Sequence, residues 1–263
     1  MKTMQVLMLT VLTSFIAAAC DRQQEDGNTA AGLEVSKAPD LRTLLAADSR
    51  PEEDRARDAG RKPARVIEFL GISPGMRVID VIAAGGYYTE VLSLAVGPEG
   101  HVVAQNTDRV LQFRDGANEK AISARLADNR LPNVSRLNKN FDAMDASDGP
   151  FDAGITALNF HDIYNGSGPD AAVSVMQTIF SVLKPGGVFG VIDHVGVADA
   201  DNTALHRIEI EKAIETAEAA GFVVEAQSDL LRNDTDDHSQ GVFAEGLRGN
   251  TDRFLLKLRK PAE

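Results

Sequence analysis

The chain has 263 residues, 43% hydrophobic and 25% charged with only 5% aromatic, which suits a folded domain of α/β size and excludes disorder, collagen and a multi-span membrane protein. Lys and Arg number 27 against 39 Asp and Glu, so the net charge of -12 repels phosphate backbones and argues against a nucleic-acid partner. The single cysteine excludes an internal disulfide and a paired-cysteine metal or redox motif.

The first segment reads as a targeting signal. Lys2 supplies the positive start, and Met4 to Ala19 form an apolar run too short and too polar for a comfortable membrane span. It ends Ile16-Ala17-Ala18-Ala19-Cys20, and small residues directly before a lone Cys resemble the bacterial lipobox. That resemblance implies a lipoprotein signal peptide over 1–19 and lipidation of Cys20. The protein is then expected in the cell envelope, periplasmic and held to the membrane by its lipid anchor. Residues 20–37 are small and polar and read as a flexible tether.

From 38 to 263 the pattern is that of one domain, with a helical preface at 38–71. Leu41, Leu44 and Leu45 fall at helical spacing. Ser49-Arg50-Pro51-Glu52 reads as a capping box opening a highly charged helix to Arg61, solvated by default and a lid over a site as the alternative. A third helix runs from Pro63 and stops at Gly71. Strands and helices then alternate. Val78 to Ile82 is a continuous apolar run, as in a parallel strand buried on both faces. Gly85-Gly86 opens a helix to Ala95. Further strands are expected at His101–Ala104, Val134–Leu137, Phe151–Leu158, Val188–Ile192, Phe222–Ala226 and Arg253–Leu258. Helices are expected near Asn118–Ala127, Asp170–Leu183 and Glu209–Ala220. This order predicts a doubly wound, mostly parallel α/β sheet.

In such a sheet the ligand sits beyond the carboxyl ends of the strands. The residues there are polar: Asp80, Gln105-Asn106 with Asp108, Asp142, Asn159-Phe160-His161-Asp162 and Asp193-His194. All three tyrosines, Tyr87, Tyr88 and Tyr164, fall on the same rim. A cofactor crevice with a small-molecule pocket beside it is expected.

These residues carry a family resemblance. Val78-Ile79-Asp80-Val81-Ile82-Ala83-Ala84-Gly85-Gly86 resembles motif I of class I S-adenosylmethionine-dependent methyltransferases, and Leu183-Lys184-Pro185-Gly186-Gly187 resembles their turn before strand five. Arg50-Pro51-Glu52-Glu53-Asp54-Arg55, Gly85-Gly86-Tyr87-Tyr88-Thr89-Glu90, Leu205-His206-Arg207-Ile208 and Asp236-Asp237-His238 resemble a bacterial family of predicted methyltransferases that bear signal peptides. The resemblance spans roughly Asp48 to Pro261. It implies a seven-stranded Rossmann-like methyltransferase fold, S-adenosylmethionine as cofactor, and methyl transfer to a small molecule. Cofactor contacts are implied for Asp80, Gly85, Gly86, Tyr87, Asn106 and Asp142. Ile82 and Ala84 stand where two of the usual glycines would be, and Gln105-Asn106 where the usual ribose-binding acid would be.

Methyl transfer from a sulfonium is an in-line displacement in which a base serves only an acceptor that must lose a proton. His161 is the candidate base and Asp162 its orienting partner, with Tyr88, Phe160, Tyr164 and His194 as substrate contacts. His161, His194 and His238, with Asp162, Asp193 or Asp237, offer imidazole and carboxylate ligands, but their spacings match no compact ligand motif and no metal is expected. A periplasmic address sits uneasily with a cytosolic cofactor. The alternative is therefore a lipid-anchored small-molecule or metal binding protein with a non-catalytic methyltransferase-like fold. No protein partner is inferred.

Overall fold

A computed structural model describes residues 40–262. The expected signal peptide, Cys20 and the tether lie outside the described residues.

Three helices lead: α1 (Leu41–Leu45), α2 (Glu52–Arg61) and α3 (Pro63–Leu70). The alternating part follows as β1 (Arg77–Val81), α4 (Tyr87–Val96), β2 (His101–Asn106), α5 (Asp108–Leu126) and β3 (Val134–Asn138). Next come β4 (Phe151–Ala157), α6 (Phe160–Ser167), α7 (Pro169–Val182) and β5 (Leu183–His194). The chain closes with α8 (Asn202–Leu205), α9 (Ile210–Ala219), β6 (Val223–Ser228) and β7 (Arg253–Arg259). The seven strands form one sheet in the order β3-β2-β1-β4-β5-β7-β6. The five-strand part from β3 to β5 is parallel, and β7 inserts antiparallel between β5 and β6. The expected doubly wound, mostly parallel sheet is thus observed, and its order reverses between β1 and β4, where open α/β sheets bind ligands.

Alternation along β1 explains the two cores. Ile79 and Val81 join the cluster holding Phe151, Ile179, Val182, Phe189 and Phe222, under α7 and α9. Val78 joins the opposite cluster with Val66, Leu70 and Leu92, under α3 and α4. Each such side chain contributes about 1.5–3 kcal/mol when fully buried. Close contact also dictates residue size: a Cβ on Gly154 in β4 would lie 2.8 Å from Ile79 Cγ2 and 3.0 Å from Phe189.

Three expectations change. The capping box at Ser49 does not form: Pro51 is the N-cap of α2, and no side chain caps it. α5 starts ten residues before the expected Asn118, but Phe113–Gly116 leave helical dihedrals, so the expected helix is its second half. An unforeseen helix, α6, carries Phe160, His161, Asp162 and Tyr164.

α2 is not simply solvated. Asp54 is fully buried and pairs with Arg57 of its own helix and, at 2.7 Å, with Arg125 of α5. Arg125 also pairs with Glu90 of α4, which is buried and bound by Arg130 at 2.6 Å. Arg50, itself buried, meets Asp58 at 2.5 Å. One of the charges that made α2 look like a surface helix, Asp54, has its counter-charge on α5, and Asp58 accepts from the Tyr87 hydroxyl of α4, so the preface is bolted to the sheet's flank.

Removing one partner of a buried pair leaves an uncompensated charge and costs about 3–5 kcal/mol. Glu90→Ala, which takes the carboxylate from Arg130 and leaves Arg125 with Asp54 alone, is expected to lose stability of about that size in urea unfolding. A loss below about 0.5 kcal/mol, the range of an ordinary surface change, would show that the network does not hold the preface.

Candidate active site

The loop leaving β1 is held in an unusual backbone conformation. Ile82 (φ 55°) and Ala84 (φ 49°) are both left-handed, at the two positions where the resembling family has glycine. A side chain there costs roughly 1–2 kcal/mol per residue. Carboxamides from neighbouring strand exits offset that cost. Gln105 Oε1 accepts from Ile82 N at 3.0 Å, and its Nε2 donates to Lys139 O at 2.8 Å. Asn106 Oδ1 accepts from Ala84 N at 2.8 Å, while its Nδ2 donates to Ala84 O at 3.3 Å. Asn159 Nδ2 donates to Ile82 O at 3.1 Å and to Ala157 O at 2.8 Å. Asn106 is therefore first a clamp on the loop, with one N–H and one lone pair to spare.

Gly85 and Gly86 answer to packing. Gly86 (φ 85°) is the N-cap of α4, and a Cβ on it would meet Ile122 Cδ1 at 2.5 Å and Arg125 Cδ at 2.9 Å. A Cβ on Gly85 would lie 3.1 Å from that of Ala121. The resemblance implies cofactor contacts for these glycines; the structure places α5 against them. Tyr87 is a fastening: its hydroxyl donates to Asp58 at 2.6 Å, and its ring lies beneath Arg61 at 4.3 Å and Arg57 at 4.9 Å. Arg61 has no hydrogen bond or ion pair among the described residues, so its guanidinium is available to an anion. No sequence pattern singled it out from the charges around it.

Asp80 is buried and accepts from Thr89 Oγ1 at 2.7 Å. Burial raises its carboxyl to about 7, against the Thr89 hydrogen bonds and the charges of Arg125 and Arg61. Tyr88 packs edge-on against Tyr87 at 5.2 Å, and burial pushes its phenol up to about 12. Asp142 lies exposed in the short turn after β3.

On the other side of the switch point the expected His-Asp neighbours exchange partners. Asp193, fully buried at the end of β5, accepts from the His161 backbone N at 2.8 Å, from His161 Nδ1 at 2.7 Å and from the His194 backbone N at 2.7 Å. Its carboxylate thereby satisfies an orphan donor in the first turn of α6 and sits at the favourable end of that helix. His161 Nε2 faces Asp162 Oδ1 at 3.3 Å, and the same oxygen lies 3.1 Å from Nδ1 of His206, a residue with no expected role. Burial lowers the His161 pKa, but the Asp193 charge and the Asp162 contact outweigh it and lift it to about 10. The imidazole accordingly holds its proton at neutral pH, unlike the neutral base expected from the sequence. His194 turns away to Thr251 Oγ1 at 2.7 Å, and burial keeps it neutral, down to about 3. Phe160 is 1% exposed within the core and cannot wall a pocket, whereas Tyr164 is half-buried. His238 is carried elsewhere, to Asp252 at 3.0 Å.

Asp80 predicts a pH dependence with a definite sign. Folded, it keeps its proton up to about pH 7; unfolded, it releases it near its ordinary value of about 3.9, so stability falls as pH rises through that interval. The facing groups are Thr89 and Tyr88 of α4, Arg61 of α2 and Arg125 of α5. Chemical denaturation between pH 4 and 8 should show Asp80→Asn gaining on the parent as pH rises. A constant gap would refute this assignment.

Residues 58–191, half of the chain, match the sequence model of the family described as protein-L-isoaspartate (D-aspartate) O-methyltransferase. Among curated proteins, the chain is 26% identical over 193 residues to the ubiquinone/menaquinone biosynthesis C-methyltransferase UbiE of Ectopseudomonas mendocina, covering 73% of this chain and 65% of that one. It is 32% identical over 129 residues to the protein of the same name from Shewanella pealeana, covering 48% and 46%. The chain thus spans between about half and two thirds of these relatives' length. Its fold is similar to a solved S-adenosylmethionine-dependent methyltransferase from Aquifex aeolicus, with a TM-score of 0.57 at 19% identity over 84% of this chain and 96% of that one. S-adenosylmethionine is the cofactor of this class, and the donor set on the rim fits it. Arg61, without an ion pair among the described residues, offers a positive charge and Asp80 a buried carboxyl to a zwitterionic amino-acid end, Asn106 has hydrogen-bonding capacity left for a ribose hydroxyl, and Asp142 presents an exposed side chain beyond β3. With half its length matched by the family's sequence model and the fold of its class, the chain belongs to the protein-L-isoaspartate (D-aspartate) O-methyltransferase family of class I S-adenosylmethionine-dependent methyltransferases.

Proposed function

We propose that this protein transfers the methyl group of S-adenosylmethionine to a small molecule seated against α6. The observation that carries this reading is the position of His161 in the first turn of α6, after β4: Asp193 grips it through the ring and the backbone, so Nε2 and Asp162 are held together at the switch-point side of the sheet. The cofactor, when bound, supplies an electrophilic methyl on a sulfonium. Everything else is positioning, which in well-oriented reactions accounts for about 7–11 kcal/mol of barrier lowering.

In this reading Asp80 and Arg61 hold the amino-acid end, Asn106 holds the ribose, and Asp142 meets the adenine edge. Tyr164 borders the acceptor, which His161 and Asp162 orient through its oxygen. The relatives named for ubiquinone and menaquinone biosynthesis make a quinol ring, with a nucleophilic carbon beside a hydroxyl, the first acceptor to assay. The small residues before Cys20 support a lipid-anchored periplasmic address for the same domain. No helix among the described residues is long and apolar enough to cross a membrane.

Calorimetric titration of the full chain tests the reading. S-adenosylhomocysteine is expected to bind with micromolar affinity. A charge-assisted hydrogen bond contributes about 1.5–3 kcal/mol, so Arg61→Gln should weaken that binding roughly 10- to 100-fold. The same variant should leave 5′-methylthioadenosine, which lacks the amino-acid end, unaffected. An absence of binding up to millimolar concentration withdraws the proposal.

A further inference from the structure

We propose that His161, Asp162 and His206 form a binding site for a divalent first-row metal ion. Their ligand atoms, His161 Nε2, Asp162 Oδ1 and His206 Nδ1, all lie within 4.8 Å of one another. The carboxylate oxygen is 3.3 Å from the first nitrogen and 3.1 Å from the second. Nitrogen and oxygen ligands sit about 2.0–2.2 Å from such an ion. Adjacent ligand atoms are then separated by about 3.0 Å in an octahedral set and about 3.4 Å in a tetrahedral one, and both separations here fall in that window.

The surroundings are those of a ligand set. A metal-binding imidazole donates its second ring N–H to a carboxylate that fixes its tautomer and orientation. Asp193 does this for His161 at 2.7 Å and is itself immobilised by two backbone N–H groups, and an ion binding at Nε2 displaces to solvent the proton that the imidazole otherwise carries there. His206 is presented by a left-handed backbone (φ 55°), a strained conformation for a residue with a side chain. The strain is maintained by the next residue: buried Arg207 binds both oxygens of Asp236 at 2.9 Å and the carbonyl of Val195 at 3.0 Å. The ring of Phe243 then backs His206 edge-on at 5.1 Å.

Two imidazoles and one carboxylate suit iron, manganese, cobalt or zinc. Asp162 and His206 are partly open to solvent while His161 is buried, so coordination positions remain for an oxygen-bearing ligand on the outer side. This trio differs from the one that the sequence suggests for a metal. His194 and His238 are committed to Thr251 and Asp252, whereas His206, which shares no local motif with His161, completes the set. The site stands on these atoms whatever the methyl acceptor is; only its use in orienting that acceptor rests on the proposed methyl transfer.

Calorimetric titration of the untagged, chelator-treated full chain with Co²⁺ and with Zn²⁺ tests the site. One ion per chain is expected, with Co²⁺ giving visible absorption from imidazole coordination. Asp162→Asn and His206→Gln should each weaken binding by about 100-fold, and Asp193→Asn by about 10- to 100-fold, the usual effect of losing an orienting partner. His238→Gln should change nothing. Near-ultraviolet circular dichroism and binding of S-adenosylhomocysteine report whether each variant is folded, and separate failure here from failure of the methyl-transfer reading. The proposal is overturned if the parent chain takes up neither ion, or if binding survives both Asp162→Asn and His206→Gln in folded protein.

Discussion

Much of this molecule turns on how the loop after β1 is kept in shape without its glycines. Ile82 and Ala84 occupy left-handed backbone at a combined cost of a few kcal/mol. Six hydrogen bonds to the backbone of those two residues and of Ala157 and Lys139 come from only three side chains, Gln105, Asn106 and Asn159. Those side chains stand at the exits of β2 and β4, the strands on either side of β1. The same loop is gripped from outside by α5, whose Ile122 and Arg125 fill the space above Gly86. A carboxamide that elsewhere in this class would be an acid for ribose thus serves structure first and ligand second.

A second organising element is the burial of charge in complementary sets. Asp54, Glu90, Arg125 and Arg130 join three helices on one flank, and Asp193 joins β5 to α6 at the switch point. Arg207 and Asp236 fasten the segment before α9 to the long connection between β6 and β7. Buried pairs of this kind are weak sources of net stability but strong determinants of which arrangement is tolerated, because a misplaced partner leaves a charge unpaired. Here they decide where His161 and His206 stand.

Against this background, groups with no ion pair among the described residues carry the functional information. Arg61 sits over an aromatic ring with no counter-charge among the described residues. Asp80 is desolvated until its carboxyl titrates near neutrality. Perturbed groups of opposite character around one loop are what a zwitterionic ligand matches. The imidazole and carboxylate edge across the switch point is a separate locus with its own chemistry.

The sequence by itself determined the class of sheet and nearly every strand, because parallel strands buried on both faces must be continuous apolar runs whatever surrounds them. It also determined the cast of rim residues, since polar groups concentrate at strand exits where the backbone leaves the ladder. It did not determine their roles. His161 meets its neighbour Asp162 and also pairs with Asp193, 32 residues away, while Asp162 reaches His206, 44 residues away, so adjacency in the chain showed one of these contacts and not the other two. Phe160 lies in the core because α6 begins there, turning a presumed pocket wall inward. Gly86 is needed for a helix that packs over it from 36 residues downstream. Local patterns record which residues prefer strand, helix or turn; only the packed chain decides which distant groups share a desolvated space, and charges and imidazoles take their chemistry from that neighbourhood.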